Sequence, residues 1–184
     1  MLNLTKGGKL DLTKDDRGNS LEGIRVGCGW SMIGSGVDID LSAAHFDQSG
    51  KCKGVTYFGN KDFNGVKSSG DNTTGAGDGD DETLFVDFNK ISKDTTNIVF
   101  FINIFSSGYS LKQMKDAYVN IYNSKDGYLY AKYDMTSFGD HRGLVMCEMK
   151  RVGNDWTLEM HGITNEISSA STVKGWTLSQ LVSQ

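Results

Sequence analysis

Apolar and polar residues alternate along most of this chain, and that period of two limits what it can fold into. In Ile24–Trp30 every second residue is apolar, and Val37–Ala43 repeats the pattern. A period of two places successive side chains on opposite faces of an extended strand. Similar patterns predict further strands at Gly54–Phe58, Thr83–Phe88, Asn97–Phe105, Ala117–Tyr122, Tyr128–Tyr133, Gly143–Met149 and Asp155–His161. Many short strands favour an all-β fold.

The segments between these strands have the composition of turns. The chain has 23 Gly and no Pro, so its turns must be made by Gly, Asn and Asp. Asn123–Gly127 and Gly153-Asn154 are predicted to be hairpin connections. Asn97–Phe105 is nearly continuously apolar, which predicts a central strand covered on both faces.

Helix signals are few, and they complete the predicted fold. Ser110–Lys115 is a candidate for a short helix or turn, and Ser171–Val182 for an amphipathic helix lying on the strands. No linker divides the chain, so residues 1–184 are expected to form a single domain. We predict a two-layer antiparallel β-sandwich with a few short helices.

The cysteines and the hydropathy pattern indicate the cellular compartment in which the protein is expected. Cys28, Cys52 and Cys147 are odd in number and widely spaced, which argues against a disulfide framework and favours a reducing environment. The N-terminal residues contain no apolar stretch long enough for a signal peptide. The most apolar run, Ile98–Phe105, is eight residues long and too short to cross a membrane. We therefore expect a cytoplasmic protein without a membrane span.

Negative charge is concentrated in the loop Gly70–Glu82, which has five carboxylates and no basic residue. Removing these five charges from the net charge of −4 leaves +1 for the rest of the chain. Two carboxylates about 5 Å apart repel by roughly 3 kcal/mol at an effective dielectric of 20. A compact acidic loop therefore calls for a cation, and hard oxygen ligands on a glycine-rich backbone suit calcium.

The strand Val37–Ala43 offers two more carboxylates. If its apolar residues face the core, Asp38 and Asp40 project outward together, two residues apart. Together with the loop they supply more oxygens than one calcium ion needs, so two neighbouring ions are expected. The alternative is a solvated acidic loop that binds no metal. The spacing within the loop is not that of an EF-hand.

The acidic loop and the strand before it together match a longer sequence motif. The chain resembles the TerD family of tellurium-resistance and stress proteins, whose signature is a GDNxTGxGxGDDE loop preceded by a D-x-D-L-D strand. The resemblance covers nearly the whole chain, including the opening Leu2–Gly8. The matching loop residues are Gly70, Asp71, Asn72, Thr74, Gly75, Gly77, Gly79, Asp80, Asp81 and Glu82.

The resemblance implies a calcium-binding β-sandwich and a set of ligands. Gly75 and Gly77 would add backbone carbonyls, and Asp78 is a further carboxylate of the loop. Ser42 stands where the family has the third aspartate of the strand, and Ala76 where an acidic residue is common, so one site is expected to be weaker or more hydrated. The side-chain ligands implied are Asp38, Asp40, Asp71, Asn72, Asp80, Asp81 and Glu82.

The sequence excludes some classes of function, and the family resemblance implies another. His45, His141 and His161 are scattered singly without a metal-binding or catalytic spacing, so we expect no enzymatic activity. Lys and Arg are dispersed, and no nucleic-acid footprint is evident. The resemblance implies stress response, in tellurite resistance or phage defence, through a calcium-modulated interaction or scaffold module with an unidentified protein partner.

Two alternatives stay open. One is a structural or accessory protein of a larger assembly, in which calcium is a stabilising staple. The other is a calcium-dependent binder of small ligands such as sugars, because lectin sandwiches use similar ions.

Overall fold

The computed structural model of the protein describes residues 1–33, 37–68, 79–136 and 138–183. Within these residues the chain forms thirteen β-strands, which are β1 Leu2–Leu4, β2 Lys9–Asp11, β3 Gly23–Met32, β4 Ile39–Asp47, β5 Cys52–Thr56, β6 Asp62–Phe63, β7 Val66–Ser68, β8 Glu82–Asp87, β9 Thr95–Ile104, β10 Met114–Asn123, β11 Leu129–Met135, β12 Gly143–Val152 and β13 Asp155–Asn165. The helical elements are short 3₁₀ turns at Phe88–Lys90, Leu111–Gln113 and Ala170–Gly175, and the α-helix α1 at Leu178–Val182. Among the described residues, no helix has the length and apolar character needed to cross a membrane.

The strands form two sheets, as the alternating pattern predicts. Sheet A has seven strands in the order β1-β11-β10-β3-β8-β7-β6, and sheet B has six in the order β2-β13-β12-β9-β4-β5. Pairing between neighbouring strands is antiparallel except for β1, which runs parallel to β11. The all-β sandwich is confirmed, with one parallel pair at the edge of sheet A.

Two apolar clusters explain why these strands pack as they do. The larger cluster lies between the sheets and takes one face of each long strand, including Val26, Leu41 and Phe100. A second cluster covers the outer face of sheet B, where Phe101 and Val145 meet residues of the C-terminal segment. Strand β9 contributes to both clusters, which confirms its predicted position in the interior of a sheet with both faces covered.

The C-terminal segment departs from the predicted continuous helix. It forms the 3₁₀ turn Ala170–Gly175 and then α1, and Thr177 caps α1 in a capping box with Gln180. A capping box starts a new helix rather than extending an old one. Val173 and Leu181 are both fully buried in the cluster on sheet B. The predicted amphipathic contact with the sandwich therefore exists, but two short elements make it.

Both predicted hairpins are confirmed. β10 and β11 are joined across Asn123–Gly127, where the Gly127 amide donates to the Asn123 carbonyl. β12 and β13 are joined by Gly153-Asn154, since Val152 pairs with Asp155. The sequence pattern missed β1, β2, β6 and β7, because a strand of three residues or fewer is too short to show a period of two.

Candidate metal centre

The acidic segment Gly79–Glu82 enters β8 beside β3, and Asp81 continues the pairing between these strands. The ladder of β3 and β8 reaches the pair Cys28–Glu82. The Asp81 amide donates to the Cys28 carbonyl over 2.7 Å, and Asp81 Oδ2 accepts from the Trp30 amide over 2.9 Å. Burial raises the pKa of Asp81, and the neighbouring charge of Asp80 adds to that rise, while the Trp30 amide opposes it. The Asp81 carboxylate thus accepts a hydrogen bond from β3 beyond the point where the β3–β8 ladder ends.

Asp80 turns onto the outer face of sheet A. Its Oδ1 accepts from Asn120 Nδ2 over 3.1 Å, and its Oδ2 accepts from the Tyr122 hydroxyl over 2.7 Å. Gly27 of β3 leaves room for this carboxylate, because a Cβ there would lie 2.0 Å from Asp80 Oδ2. The preceding residue is held as well, since the Tyr118 hydroxyl donates to the Gly79 carbonyl over 2.9 Å. Asp80 is therefore anchored to β10 and packed on β3.

The two tyrosines of this anchor stay protonated donors over a wide pH range. Burial raises the pKa of Tyr122, and its hydrogen bond to Asp80 raises it further. Burial and the charge of Asp80 likewise raise the pKa of Tyr118. The same acidic segment affects the sheet interior, where burial and then the charge of Glu82 raise the pKa of Cys28. This thiol is a core group without thiolate character.

Glu82 reaches across from sheet A to sheet B. Its Oε2 accepts a hydrogen bond from the Leu41 amide of β4. The pairing of β4 with β5 begins only at Ala43, which pairs with Thr56. The Leu41 amide lies beyond that ladder, and the Glu82 carboxylate takes the place of a strand partner. Glu82 is 8% exposed, so the contact is largely shielded from water.

The two aspartates of the predicted D-x-D strand lie on either side of the start of β4. Asp38 precedes β4, and its amide donates to Ser106 Oγ while its carbonyl accepts from the Phe105 amide, both over 2.8 Å. Asp40 lies within β4, between Ile39 and Leu41 of the core. The alternation of β4 turns it away from the inter-sheet core, as predicted. Asp40 is only 4% exposed, so its side chain faces away from the inter-sheet core but is still shielded from solvent.

The fold brings part of the predicted ligand set together. Glu82 contacts the backbone between Asp40 and Ser42, although these residues are far apart in sequence. Asp80 and Asp81 are held on β10 and β3, as described above. Among the described residues, no group of three or more His, Cys, Asp or Glu side chains could hold a metal ion. Asp71, Asn72, Gly75, Gly77 and Asp78 lie outside the described residues, and the full ligand set stays a prediction.

Several buried polar atoms lie on and beside β4. Ser42 Oγ and both amide atoms of Asn103 are buried without a hydrogen-bond partner among the described residues. Buried polar atoms normally have a partner, which here would be water or an ion. Sequence reasoning missed Asn103, Asn120 and Tyr122, because only strand register places them beside the acidic residues.

Removing the Tyr122 hydroxyl tests the anchor. Tyr122→Phe should lower the free energy of unfolding by about 1.5–2 kcal/mol, since hydrogen bonds to charged groups are worth about 1.5–3 kcal/mol. Urea unfolding measures this. The control is Tyr133→Phe, which removes a 3.0 Å hydrogen bond to the neutral carbonyl of His161 and should cost about 1 kcal/mol or less. Equal losses in both variants would show that the charge of Asp80 adds nothing.

Comparison with known proteins agrees with this architecture. The family model of the TerD domain matches residues 1–167. General stress protein 16U of Bacillus subtilis is 32% identical over 174 residues, covering 88% of this chain and 89% of its own. Tellurium resistance protein TerD of an Alcaligenes species is 30% identical over 174 residues, covering 88% and 90%.

A solved structure gives the same picture of the fold. The crystal structure of a TerD homologue from Streptomyces coelicolor A3(2) superposes with a TM-score of 0.67 at 12% identity, covering 85% of this chain and 97% of that one. At that identity the superposition concerns the fold alone. The family assignment rests on the match of the TerD domain model over nearly the whole length, and on that basis this chain belongs to the TerD family.

Proposed function

We propose that the protein is a calcium-binding stress-response protein of the tellurium-resistance type, without enzymatic activity. Its relatives carry the names of stress and tellurium-resistance proteins. In this proposal the protein binds two calcium ions where the acidic segment meets β4. Bound calcium then sets the conformation of a surface that a cytoplasmic protein partner recognises.

One observation carries the calcium proposal. The Glu82 carboxylate hydrogen-bonds to the Leu41 amide, so the acidic segment and the strand of Asp40 touch in space. Carboxylates of two separate segments that converge at a shielded position repel each other. A divalent cation turns that repulsion into a favourable contact. The proposal therefore accounts for why two acidic segments are joined here rather than kept apart.

The types of donor atom favour calcium over other metals. The predicted ligands are mainly carboxylates, and Ser42 and Asn103 beside Asp40 would add a hydroxyl and an amide, so every proposed side-chain donor is an oxygen ligand. Calcium takes about six to eight oxygens in a flexible geometry, whereas magnesium requires a stricter octahedron and keeps several waters. Zinc prefers His and Cys. The cysteine nearest to this segment, Cys28, is fully buried in the core between the sheets.

Calorimetry tests the proposal directly. Titration of calcium chloride into chelator-treated protein should show at least one site that binds calcium more tightly than magnesium chloride. Asp40→Asn should weaken that binding by about tenfold or more, because affinity at such sites follows the number of charged ligands. The variant should keep the parent far-UV circular dichroism, since Asn has nearly the same size as Asp.

The control is Asp155→Asn, which removes one carboxylate from the exposed hairpin between β12 and β13. Its calcium affinity should equal that of the parent. No heat of binding and no thermal shift at millimolar calcium would refute the proposal. Equal weakening by both substitutions would indicate a general effect of net charge rather than a site at β4.

A further inference from the structure

The side chain of Asn103 on β9 is buried but makes no hydrogen bond that would explain its presence there. It is 1% exposed, and neither Oδ1 nor Nδ2 has a partner among the described residues. Ser42 of β4 is 0% exposed, and its hydroxyl also has no hydrogen-bond partner among the described residues. Burying a polar group without a partner costs about 1–3 kcal/mol. An apolar residue at position 103 would avoid that cost, so the amide requires an explanation.

Strand register places both orphaned groups beside Asp40. Asn103 and Asp40 are direct partners in the antiparallel ladder of β4 and β9. Direct partners share one face of the sheet, with Cβ atoms about 4.5–5.5 Å apart. Ser42 lies two residues beyond Asp40 on β4 and therefore on the same face. A carboxylate, a hydroxyl and an amide thus occupy one patch on the outer face of sheet B.

A third orphaned oxygen borders this patch. Gly143 of β12 is the ladder partner of Asn103, and Asn165 of β13 is the ladder partner of Gly143. A Cβ on Gly143 would lie 2.7 Å from Asn165 Oδ1, so that oxygen leans over the glycine towards β9. Asn165 Nδ2 donates to the Leu181 carbonyl, whereas Oδ1 has no partner in the described part of the chain. Side-chain oxygen atoms of β4, β9 and β13 therefore lie along one row, which crosses β12 at Gly143.

The guanidinium of Arg142 does not hydrogen-bond to the side-chain oxygens of Ser42, Asn103 or Asn165. Arg142 precedes Gly143, and its Nη2 donates to the carbonyls of Ile104, Phe105 and Ser106 over 2.8, 3.0 and 3.3 Å. Nη2 therefore binds the chain that follows β9, while Nε is buried without a hydrogen-bond partner in the described part of the chain. A ligand that fits this row of oxygen atoms must bind neutral oxygens and a carboxylate together. Calcium does so, since amide and hydroxyl oxygens and water complete its coordination shell alongside carboxylates.

We propose that Asn103 is a ligand of the calcium ion at Asp40, bound either directly through Oδ1 or through one water molecule. This inference rests on the proposed function, and it adds a residue from β9 that the TerD loop and strand motifs do not contain. It also explains how the site tolerates Ser42 in place of an aspartate. The neutral oxygens of Asn103 and Ser42 supply coordination without adding a further buried charge.

Two substitutions at one position test the ligand role with opposite expectations. Asn103→Leu should weaken calcium binding about tenfold, within the 10–100-fold range of losses seen for metal-site partners. The same variant should melt at a higher temperature than the parent in chelator, because the orphaned amide is gone. Asn103→Asp should bind calcium more tightly than the parent and melt lower in chelator, because a carboxylate then lies beside Asp40. Calorimetry with calcium chloride and thermal melts in chelator and in calcium measure both effects.

The control is Asn97→Leu on the same strand. Asn97 lies at the other end of β9, where its Nδ2 donates to Glu148 Oε2 over 2.6 Å. Asn97→Leu should lower stability equally with and without calcium and leave calcium affinity unchanged. A purely structural role for Asn103 would give this same result, with melting shifts that do not depend on calcium, and would overturn the inference.

The outcomes separate this inference from the proposal on which it rests. If the parent protein binds no calcium, both fail. If the parent binds calcium and both Asn103 variants bind it with parental affinity, only the inference fails. If Asn103→Leu does not fold, Asn103→Asp decides alone, since tighter binding supports the ligand role and unchanged binding refutes it.

Discussion

Removal of calcium should lower the melting temperature of this protein by roughly 5–10 °C for each site saturated at a hundredfold excess over Kd. The estimate combines about 2.7 kcal/mol of stabilisation per site with about 2–4 °C per kcal/mol for a domain of this size. A further contribution comes from the acidic segment, because its carboxylates repel one another when no cation is bound. Thermal melts with calcium chloride, magnesium chloride and chelator measure the shift.

Hydrogen exchange should locate the loss of protection. The amides of Leu41 and Trp30 donate to the carboxylates of Glu82 and Asp81, so they should exchange faster once the acidic segment is no longer held by calcium. The amides of Phe100 and Ile102, inside β9, should stay protected because both residues are fully buried in the core. Melting curves that coincide in calcium and in chelator, or exchange that rises equally in all four amides, would contradict a stabilising metal site.

The substitution Glu82→Gln should separate the structural role of this side chain from its calcium role. Glutamine keeps an oxygen that can accept from the Leu41 amide, so stability in chelator should change by less than about 1 kcal/mol. It removes one negative charge from the proposed site, and calcium affinity should fall about a hundredfold, at the upper end of the range for metal-site partners. Calorimetry and urea unfolding in chelator are the two measurements.

A second variant and a control complete that experiment. Glu82→Leu should lose calcium affinity and also lose about 1–3 kcal/mol in chelator, because the buried Leu41 amide is left without an acceptor. Asp87→Asn, at the other end of β8, removes a carboxylate that accepts from the Asn89 amide, and its calcium affinity should match that of the parent. Parental affinity in Glu82→Gln would remove Glu82 from the metal site.

Local pattern was sufficient to predict the sandwich and most of its strands. A period of two is a property of neighbouring residues, and it identified β3, β4 and the strands from β8 to β13 without any knowledge of their partners. The apolar run of β9 likewise showed that the strand is covered on both faces. The parallel pairing of β1 with β11 was not predictable in this way, because it joins two short segments that are distant in sequence.

The candidate site shows the same division. An acidic, glycine-rich loop and a D-x-D strand are local features, and they indicated the cation and the residues that would bind it. The directions of three consecutive carboxylates depend on non-local partners, which are Tyr122 and Asn120 for Asp80, the Trp30 amide for Asp81 and the Leu41 amide for Glu82. Each of these partners is a backbone or side-chain donor that lies far from its carboxylate in the sequence.

What the sequence alone determined is therefore the fold class, the family and the chemical type of the expected ligands. The tertiary structure decided that Asp40 is buried, with 4% of its surface exposed, although the alternation of its strand turns it away from the core between the sheets. It also decided that Asn103 belongs beside Asp40, because register is set only when the two strands pair. Burial and register both depend on contacts between residues far apart in the chain. A local sequence pattern does not contain information about those contacts.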